Sequence, residues 1–212
     1  MAVPQERNPV EIGLFPLGLV LVPGESIPLH IFEDRYKELI DLCIDRSDVF
    51  GIVLTDDEEL RSVGTTARIA EVATRYPDGR LDIVVTGVDR FRVIEVSPSK
   101  ESFLKARVQI LNDDADEVPL EGNVEGCVAA YRELADEVGV DTVSLDMSGD
   151  VSFQIIATVD LGPEIKQEFL ELTSEQERVQ RLAIALHAAR DAVARRNAIA
   201  ERAAGNGHIR FG

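Results

Sequence analysis

The sequence predicts an α+β fold, with a β-rich subdomain at residues 10–112, a helical subdomain at residues 120–204 and a flexible tail at residues 205–212. Before residue 112, apolar side chains in several runs recur at every second position, as they do in half-buried strands. After residue 120 they recur at every third or fourth position, as on one face of a helix. A chain of 212 residues, 45% of them hydrophobic, is long enough to bury one large core or two small ones.

The first predicted strands lie on either side of a turn and a helix. The apolar run at residues 14–22 contains Pro16 and Gly18, which predicts two short strands or one bulged strand ahead of a turn at residues 23–24. The compact apolar run at residues 49–54 predicts a buried strand.

One helix is predicted between these strands. Charged residues alternate there with an apolar stripe at helical spacing, which is typical of an amphipathic helix packed against a sheet. The stripe consists of Phe32, Tyr36, Leu39, Ile40, Cys43 and Ile44.

The clearest hairpin has its turn at Tyr76-Pro77-Asp78-Gly79, because proline presets φ for a turn and glycine tolerates a positive φ. Its arms are the runs at residues 67–75 and 80–86, and a further strand is predicted at residues 106–110. The run at residues 91–96 breaks the alternation at Glu95, which predicts a bulge or an edge position.

The remaining elements are predicted to be helices. One carries an apolar stripe from Val124 to Val138 and ends at Gly139. Asp150 is placed to cap the start of a short helix, and Gly162-Pro163 ends that helix. Pro163 suits the first turn of the next helix. Thr173 and Gln176 have the spacing of a capping box, which predicts the start of a long final helix.

Charge and composition exclude several classes of protein. The 39 acidic residues exceed the 22 basic ones by 17, so a phosphate backbone would be repelled and nucleic acid is not expected as a partner. The longest uncharged run, residues 12–24, is too short and too rich in proline and glycine to span a membrane. Residues 1–11 have no signal-peptide pattern, and Cys43 and Cys127 suggest two buried thiols, so we expect a cytoplasmic protein.

The charge is also unevenly distributed along the chain. Residues 112–150 contain twelve acidic residues and the single base Arg132. Residues 178–212 contain seven arginines and two acidic residues. The basic final helix is therefore predicted to meet phosphates or, more simply, the acidic segment of the same or a neighbouring chain.

The sequence has none of the motifs that the commonest catalytic machineries require. There is no phosphate-binding G-x-x-x-x-G-K-[ST] loop, no H-E-x-x-H metal motif and no G-x-S-x-G nucleophile turn. Ser144, Ser148 and Ser152 lie in an acidic stretch without a neighbouring base. His30 lies near Glu33 and Asp34, but carboxylates at a helix start commonly complement the helix dipole. We therefore expect no enzyme activity, no metal and no cofactor.

Several motifs, in order, resemble the Lon N-terminal, substrate-binding domain, especially in its stand-alone bacterial versions. The resemblance covers about residues 12–190. It rests on Leu14-Phe15-Pro16-Leu17, Val20-Leu21-Val22-Pro23-Gly24, Pro28-Leu29-His30-Ile31-Phe32-Glu33-Asp34-Arg35-Tyr36, Phe50-Gly51-Ile52-Val53-Leu54, Val63-Gly64-Thr65, Ala67-Arg68-Ile69, Asp78-Gly79-Arg80-Leu81, Gly87-Val88-Asp89-Arg90-Phe91-Arg92-Val93 and Lys166-Gln167-Glu168-Phe169-Leu170-Glu171 with Arg178 and Leu182.

The resemblance implies a PUA-like pseudobarrel packed against a helical bundle. Full-length Lon continues into an ATPase module and a Ser-Lys protease, and we expect this chain to lack both. In Lon the domain is thought to help recognise unfolded or tagged substrates and to support assembly. The implied role is polypeptide binding without cleavage, as a recognition or adaptor module. The partners considered are unfolded or tagged polypeptides, a protease or chaperone, and a further copy of the chain in a homo-oligomer.

The candidate binding segment runs from Pro23 to Tyr36, and within it we select the polypeptide-binding candidates Pro28, His30, Phe32, Arg35 and Tyr36. Proline and glycine stiffen this segment, the aromatic rings supply apolar area, and the guanidinium can pair with a carboxylate or carbonyl. The alternative is structural: both aromatic rings join the helix to the barrel core, Arg35 makes an internal ion pair, and His30 is a hydrogen-bonded structural residue.

Two further function classes stay open at this stage. Analogy with PUA-like relatives suggests a small-ligand or RNA-binding module, although the net negative charge disfavours RNA. An unrecognised hydrolase would need a nucleophile, a base and an oxyanion donor clustered in a pocket.

Overall fold

The computed structural model describes residues 9–56, 59–97, 100–113 and 118–205, with side chains described as far as residue 199. The fold is α+β, as predicted, with a six-stranded sheet and five helices within these ranges. The predicted tail at residues 205–212 lies outside the described residues except for Gly205. The elements are β1 Val10–Leu17, β2 Ser26–Ile31, α1 Asp34–Arg46, β3 Phe50–Thr55, β4 Leu60–Arg75, β5 Leu81–Ser97, β6 Lys105–Leu111, α2 Glu121–Val138, α3 Val151–Ile156, α4 Gly162–Glu171 and α5 Glu175–Gly205.

The strands β1, β3, β4, β5 and β6 close into a ring. The sheet order is β2-β5-β4-β3-β1-β6, and β6 also pairs with β5. Closure is possible because β5 is 17 residues long and one of its edges serves two partners in succession. Its first part pairs with β2 and its second part with β6. A closed ring removes most of the free strand edges that an open sheet would expose.

The barrel core follows the alternation seen in the sequence. Along β5 the side chains of Leu81, Ile83 and Val85 are buried, while Asp82 and Val84 between them are partly exposed. The same buried cluster includes the inner face of α1, namely Tyr36, Leu39, Ile40 and Cys43. Fully burying a side chain of this size contributes about 1.5–3 kcal/mol, so the helix is held to the sheet mainly by its apolar face.

Two glycines make room for the ring of Phe91. A Cβ atom on Gly51 would lie 2.8 Å from the Cζ of Phe91, and one on Gly64 would lie 2.7 Å from the same atom. The Gly64 Cβ would also lie 2.4 Å from the backbone oxygen of Ile52. Phe91 itself is completely buried. Glycine is therefore required at Gly64 because the neighbouring backbone cannot move away.

The structure confirms the predicted hairpin and the predicted irregularity in its second arm. β4 and β5 pair antiparallel around the turn, and Gly79 has φ +84°. The pairing of β5 with β6 shifts register between Val93 and Glu95, so the break in alternation at Glu95 is a bulge.

Three local predictions need correction. β2 was not predicted as a strand, although Ile27, Leu29 and Ile31 alternate along it. Phe32 lies outside α1, because the backbone at Glu33 is extended and the helix begins at the following residue. The last correction concerns α5, where the cap is Ser174 rather than the predicted Thr173: the backbone N–H of Glu177 donates to Ser174 Oγ (3.1 Å).

The chain forms two compact units. The first contains the described parts of Met1–Asp116 and Phe153–Thr173, and the second those of Glu117–Ser152 and Ser174–Gly212. Residues 153–173 thus group with the strands, whereas the subdomain bounds drawn from the sequence placed them with the helices. Those subdomain bounds remain a prediction.

Arg90 explains why residues 153–173 belong to the first unit. Its guanidinium is buried, donates to the backbone oxygens of Leu170 (3.0 Å) and Leu172 (2.5 Å), and pairs with Asp113. It also lies 5.4 Å from the ring centroid of Phe153. One β5 side chain therefore contacts both ends of the inserted helical segment.

The second unit is built on two parallel helices. Leu120 N donates to Gln176 Oε1 (2.6 Å), Arg190 pairs with Glu133, and Asn197 Nδ2 donates to Glu137 Oε1 (3.2 Å). Residue numbers rise together on both sides, so α2 and α5 run in the same direction. The Arg190–Glu133 pair confirms that the basic final helix meets the acidic segment of its own chain.

Candidate functional site

The candidate site lies at the outer edge of the sheet in the first unit, where β2 pairs with β5. His30 lies opposite Asp82 and Pro28 opposite Val84. Successive strand residues face opposite sides, so Pro28 and His30 share the solvent-facing side while Ile31 enters the core. The turn between β4 and β5 adds Tyr76 to this side.

Three aromatic rings form an exposed cluster, which we call the aromatic patch: His30, Phe32 and Tyr76. The His30 and Phe32 ring centroids are 6.1 Å apart, with 22° between the planes. His30 and Tyr76 are also 6.1 Å apart, with their planes at 74°. Phe32 is 60% exposed, unusually accessible for a phenylalanine. The Phe32 ring therefore lies on the surface and does not fill the core.

Asp82 orients two of these rings. Its Oδ1 lies 2.6 Å from His30 Nδ1, and Tyr76 Oη donates to its Oδ2 at 2.7 Å. An ionised carboxylate only accepts hydrogen bonds, so His30 Nδ1 is the donor in this pair. The hydrogen bonds from His30 and Tyr76 hold the pKa of Asp82 below its ordinary value, and the bond to Asp82 raises the pKa of Tyr76. One carboxylate thus orients both rings.

The other two candidates have contacts within the chain. Arg35 Nε donates to Glu33 Oε2 at 2.9 Å, and its guanidinium lies 4.5 Å from the centroid of the Tyr36 ring. Tyr36 is only 6% exposed and packs against Phe15 with centroids 4.0 Å apart. Burial raises the pKa of Tyr36. Pro28, His30 and Phe32 therefore lie on the exposed surface, whereas Tyr36 belongs to the core and Arg35 covers it.

Sequence reasoning missed Tyr76 and Asp82 as members of the site. Tyr76 was identified only as a turn residue, and Asp82 only as a polar position in an alternating strand. The pairing of β2 with β5 brings both beside His30. The alternation in residues 27–31 signals a strand but not its partner.

The three side chains considered above as metal ligands, His30, Glu33 and Asp34, each have a partner of their own. His30 bonds Asp82, Glu33 bonds Arg35, and Asp34 pairs with Lys37 (3.1 Å), so this trio does not converge on one point. These contacts orient the side chains at the end of β2 and at the start of α1.

Ser152 belongs to a buried polar cluster in the second unit. Its Oγ is 2.5 Å from Glu175 Oε2 and accepts from Arg178 Nε at 3.0 Å. Ser152 and Arg178 are completely buried, and burial raises the pKa of Glu175. The arrangement satisfies a buried charge, and the Ser152 hydroxyl is closed to solvent.

None of the helices in the described ranges combines the length and apolar character needed to cross a lipid bilayer.

The chain is similar to known proteins of one family. The family model for the ATP-dependent protease La (LON) substrate-binding domain matches residues 11–188. The chain is 25% identical over 183 residues to the Lon protease of Dictyoglomus thermophilum, covering 81% of this chain and 22% of that protein. It is 28% identical over 171 residues to the Lon protease of Paraburkholderia phytofirmans, covering 72% and 21%. The match thus spans about a fifth of these relatives.

Solved structures show the same fold. The crystal structure of a Lon N-terminal domain protein from Xanthomonas campestris superposes with a TM-score of 0.66 at 25% identity, covering 82% of this chain and 96% of that one. The N-terminal domain of the Mycobacterium avium complex Lon protease gives a TM-score of 0.64 at 18% identity, covering 84% and 98%. The chain belongs to the LON substrate-binding domain family.

Proposed function

We propose that the protein is a non-catalytic recognition module that binds unfolded or tagged polypeptides and presents them to a separate protease or chaperone. The matched domain is a substrate-binding domain, which is non-catalytic, and the resemblance to Lon supports polypeptides as the bound class. That match does not favour the RNA, small-ligand or hydrolase alternatives. Two free, buried thiols fit a reducing compartment, so the proposal includes a cytoplasmic location.

The observation that carries the proposal is the exposure of Phe32 within the aromatic patch. Fully burying a phenylalanine side chain contributes about 1.5–3 kcal/mol, and because Phe32 is 60% exposed, covering the rest of it contributes about 1–2 kcal/mol to association. Each 1.4 kcal/mol corresponds to about tenfold in affinity, so this ring alone supports an effect of about five- to thirtyfold. Native client proteins bury most of their apolar segments, whereas unfolded chains expose segments that can cover the Phe32 ring.

The test compares binding of one model protein in two states. A reduced and alkylated model protein and its native form are each titrated against this chain, and the dissociation constants are measured by fluorescence anisotropy. We expect the unfolded form to bind at least tenfold more tightly. Equal affinity for the two forms, or binding of neither, would contradict the proposal.

A variant pair assigns the binding to the patch. Phe32→Ser removes the exposed ring, and Leu104→Ser removes an exposed apolar side chain (42% exposed) from another loop of the same unit. We expect the first to weaken binding of the unfolded protein by about tenfold and the second by less than twofold. Both should change the urea midpoint little, because both side chains are exposed. Equal effects of the two variants would remove the patch from the proposal.

A further inference from the structure

A second feature of the first unit is an open strand edge on β4. On one side β5 pairs with β4 as far as Arg75, whereas on the other β3 pairs with it only as far as Ala67. Within the described residues, no strand pairs with residues 68–75 on that second side. Peptide groups that point from this edge toward solvent are able to pair with an incoming backbone.

The edge is open because β3 does not extend along it beyond Phe50, where its pairing with Ala67 ends. β3 begins at Phe50, and the preceding residues turn into α1 through Ser47, whose backbone is left-handed (φ 52°). At the far end, Arg75 Nη1 and Asp41 Oδ1 are 3.1 Å apart and tie β4 to the helix. The open strand position next to β4 is therefore bounded by the start of β3 at one end and by the Arg75–Asp41 pair at the other.

An open groove of about 380 Å³ lies along this edge. Cys43 and Ile44 line its helix side, and Ile69 and Val72 line its strand side. Val72 is 38% exposed, so the groove presents aliphatic surface next to the open edge. Backbone pairing at an edge combined with pockets for alternate side chains is the geometry by which proteins bind extended peptides.

The charges of the groove indicate what occupies it. Its lining has two carboxylates, Asp48 and Glu71, and one guanidinium, Arg68. The whole chain has a net charge of −17, so its long-range field also attracts cationic segments. An aliphatic segment that includes a lysine or arginine therefore complements the groove better than an acidic one.

We propose that residues 68–75 of β4 accept a short extended segment of a client polypeptide as an added strand. Aliphatic side chains of the client enter the groove, and a client lysine or arginine faces Asp48 and Glu71. This inference rests on the proposed function and specifies the class of segment recognised.

The central test uses a ten-residue fluorescent peptide in which valine and threonine alternate and one end has an arginine. Two further forms are N-methylated, one on the valine amides and one on the threonine amides. Alternate amides of a strand point to opposite edges, so only one of the two forms loses the donors that face β4. We expect one methylated form to lose at least tenfold in affinity and the other less than twofold. Equal losses, or no loss in either, would overturn strand addition.

A variant pair locates the peptide on the protein. Val72→Glu places a carboxylate in the groove, and Val96→Glu makes the same change at an exposed valine (42% exposed) on β5. We expect at least a tenfold loss of peptide affinity for the first and less than twofold for the second, with circular dichroism verifying the fold of both. Replacing the peptide arginine by glutamate should weaken binding to the unaltered protein by at least fivefold. Equal loss with both variants, or no change on reversing the peptide charge, would overturn this site.

The outcomes separate this inference from the proposed function. If the unfolded model protein binds but the unmethylated peptide does not, strand addition is wrong and polypeptide recognition through the aromatic patch stands. If neither binds, the proposed function fails as well.

Discussion

Replacing Arg90 by methionine tests whether one buried side chain holds residues 153–173 to the strands. Arg90 is 5% exposed, and its guanidinium donates to the backbone oxygens of Leu170 and Leu172. Methionine has a similar length and keeps the apolar contact with Phe153, so the change removes mainly the hydrogen bonds and the charge. Removing the partner of a buried acceptor costs about 1–3 kcal/mol for each group left unsatisfied.

The expected loss follows from these contacts. Two carbonyl groups lose a donor, and Asp113 loses its cation while staying partly exposed to water. We therefore expect the free energy of unfolding to fall by about 2–4 kcal/mol, since the Leu170 carbonyl is buried and the Leu172 carbonyl is partly buried. Urea unfolding followed by circular dichroism measures the loss, and amide hydrogen exchange should accelerate first in α4.

The control is Arg92→Met on the same strand, where the side chain is exposed. Exposed substitutions of this kind change stability by no more than about 0.5 kcal/mol. A loss below about 1 kcal/mol for Arg90→Met, or equal losses for the two variants, would refute the assignment of Arg90 as the anchor.

Two further predictions concern packing and the thiols. Gly64→Ala places a methyl group 2.4 Å from the oxygen of Ile52 and should lower the free energy of unfolding by about 1–3 kcal/mol, whereas Gly18→Ala, where nothing lies within 4 Å, should change the urea midpoint little. Burial raises the pKa of Cys43 to about 11 and that of Cys127 to about 12. Neither thiol should react with a disulfide reagent at pH 8 until urea unfolds the chain; rapid reaction of the native protein would contradict their burial. Because the unfolded thiols release their protons first, stability should fall as the pH rises from about 9 through these folded values, as urea titrations at stepped pH would show.

The elements were largely predictable because their signals are local. The β4–β5 hairpin follows from a proline and a glycine at fixed offsets in its turn, and α2 ends at Gly139 because a left-handed residue is needed there (φ 78°). β2 was missed because Pro28 and the neighbouring turn obscured its alternation. Phe32 was assigned to the helix because its spacing from Tyr36 is helical, although the extended backbone at Glu33 places it outside.

The candidate site was predictable only in part. Pro28, His30 and Phe32 were selected from the sequence and lie on one exposed surface, but Tyr76 and Asp82 are 46 and 52 residues away from His30 along the chain. No local pattern joins positions so far apart. Their proximity depends on the pairing of β2 with one half of β5, which sequence periodicity does not encode.

The amino-acid sequence by itself determined the class of fold, the order of most strands and helices, the family resemblance and the absence of the common catalytic motifs, since these depend on residue type and short-range spacing. Tertiary structure alone decided that the barrel closes through β5, that Arg90 anchors residues 153–173 and that β4 keeps an open edge. These properties arise from contacts between distant residues, where the space left by neighbouring backbone and the burial of each polar group select one arrangement among several that share the same local pattern.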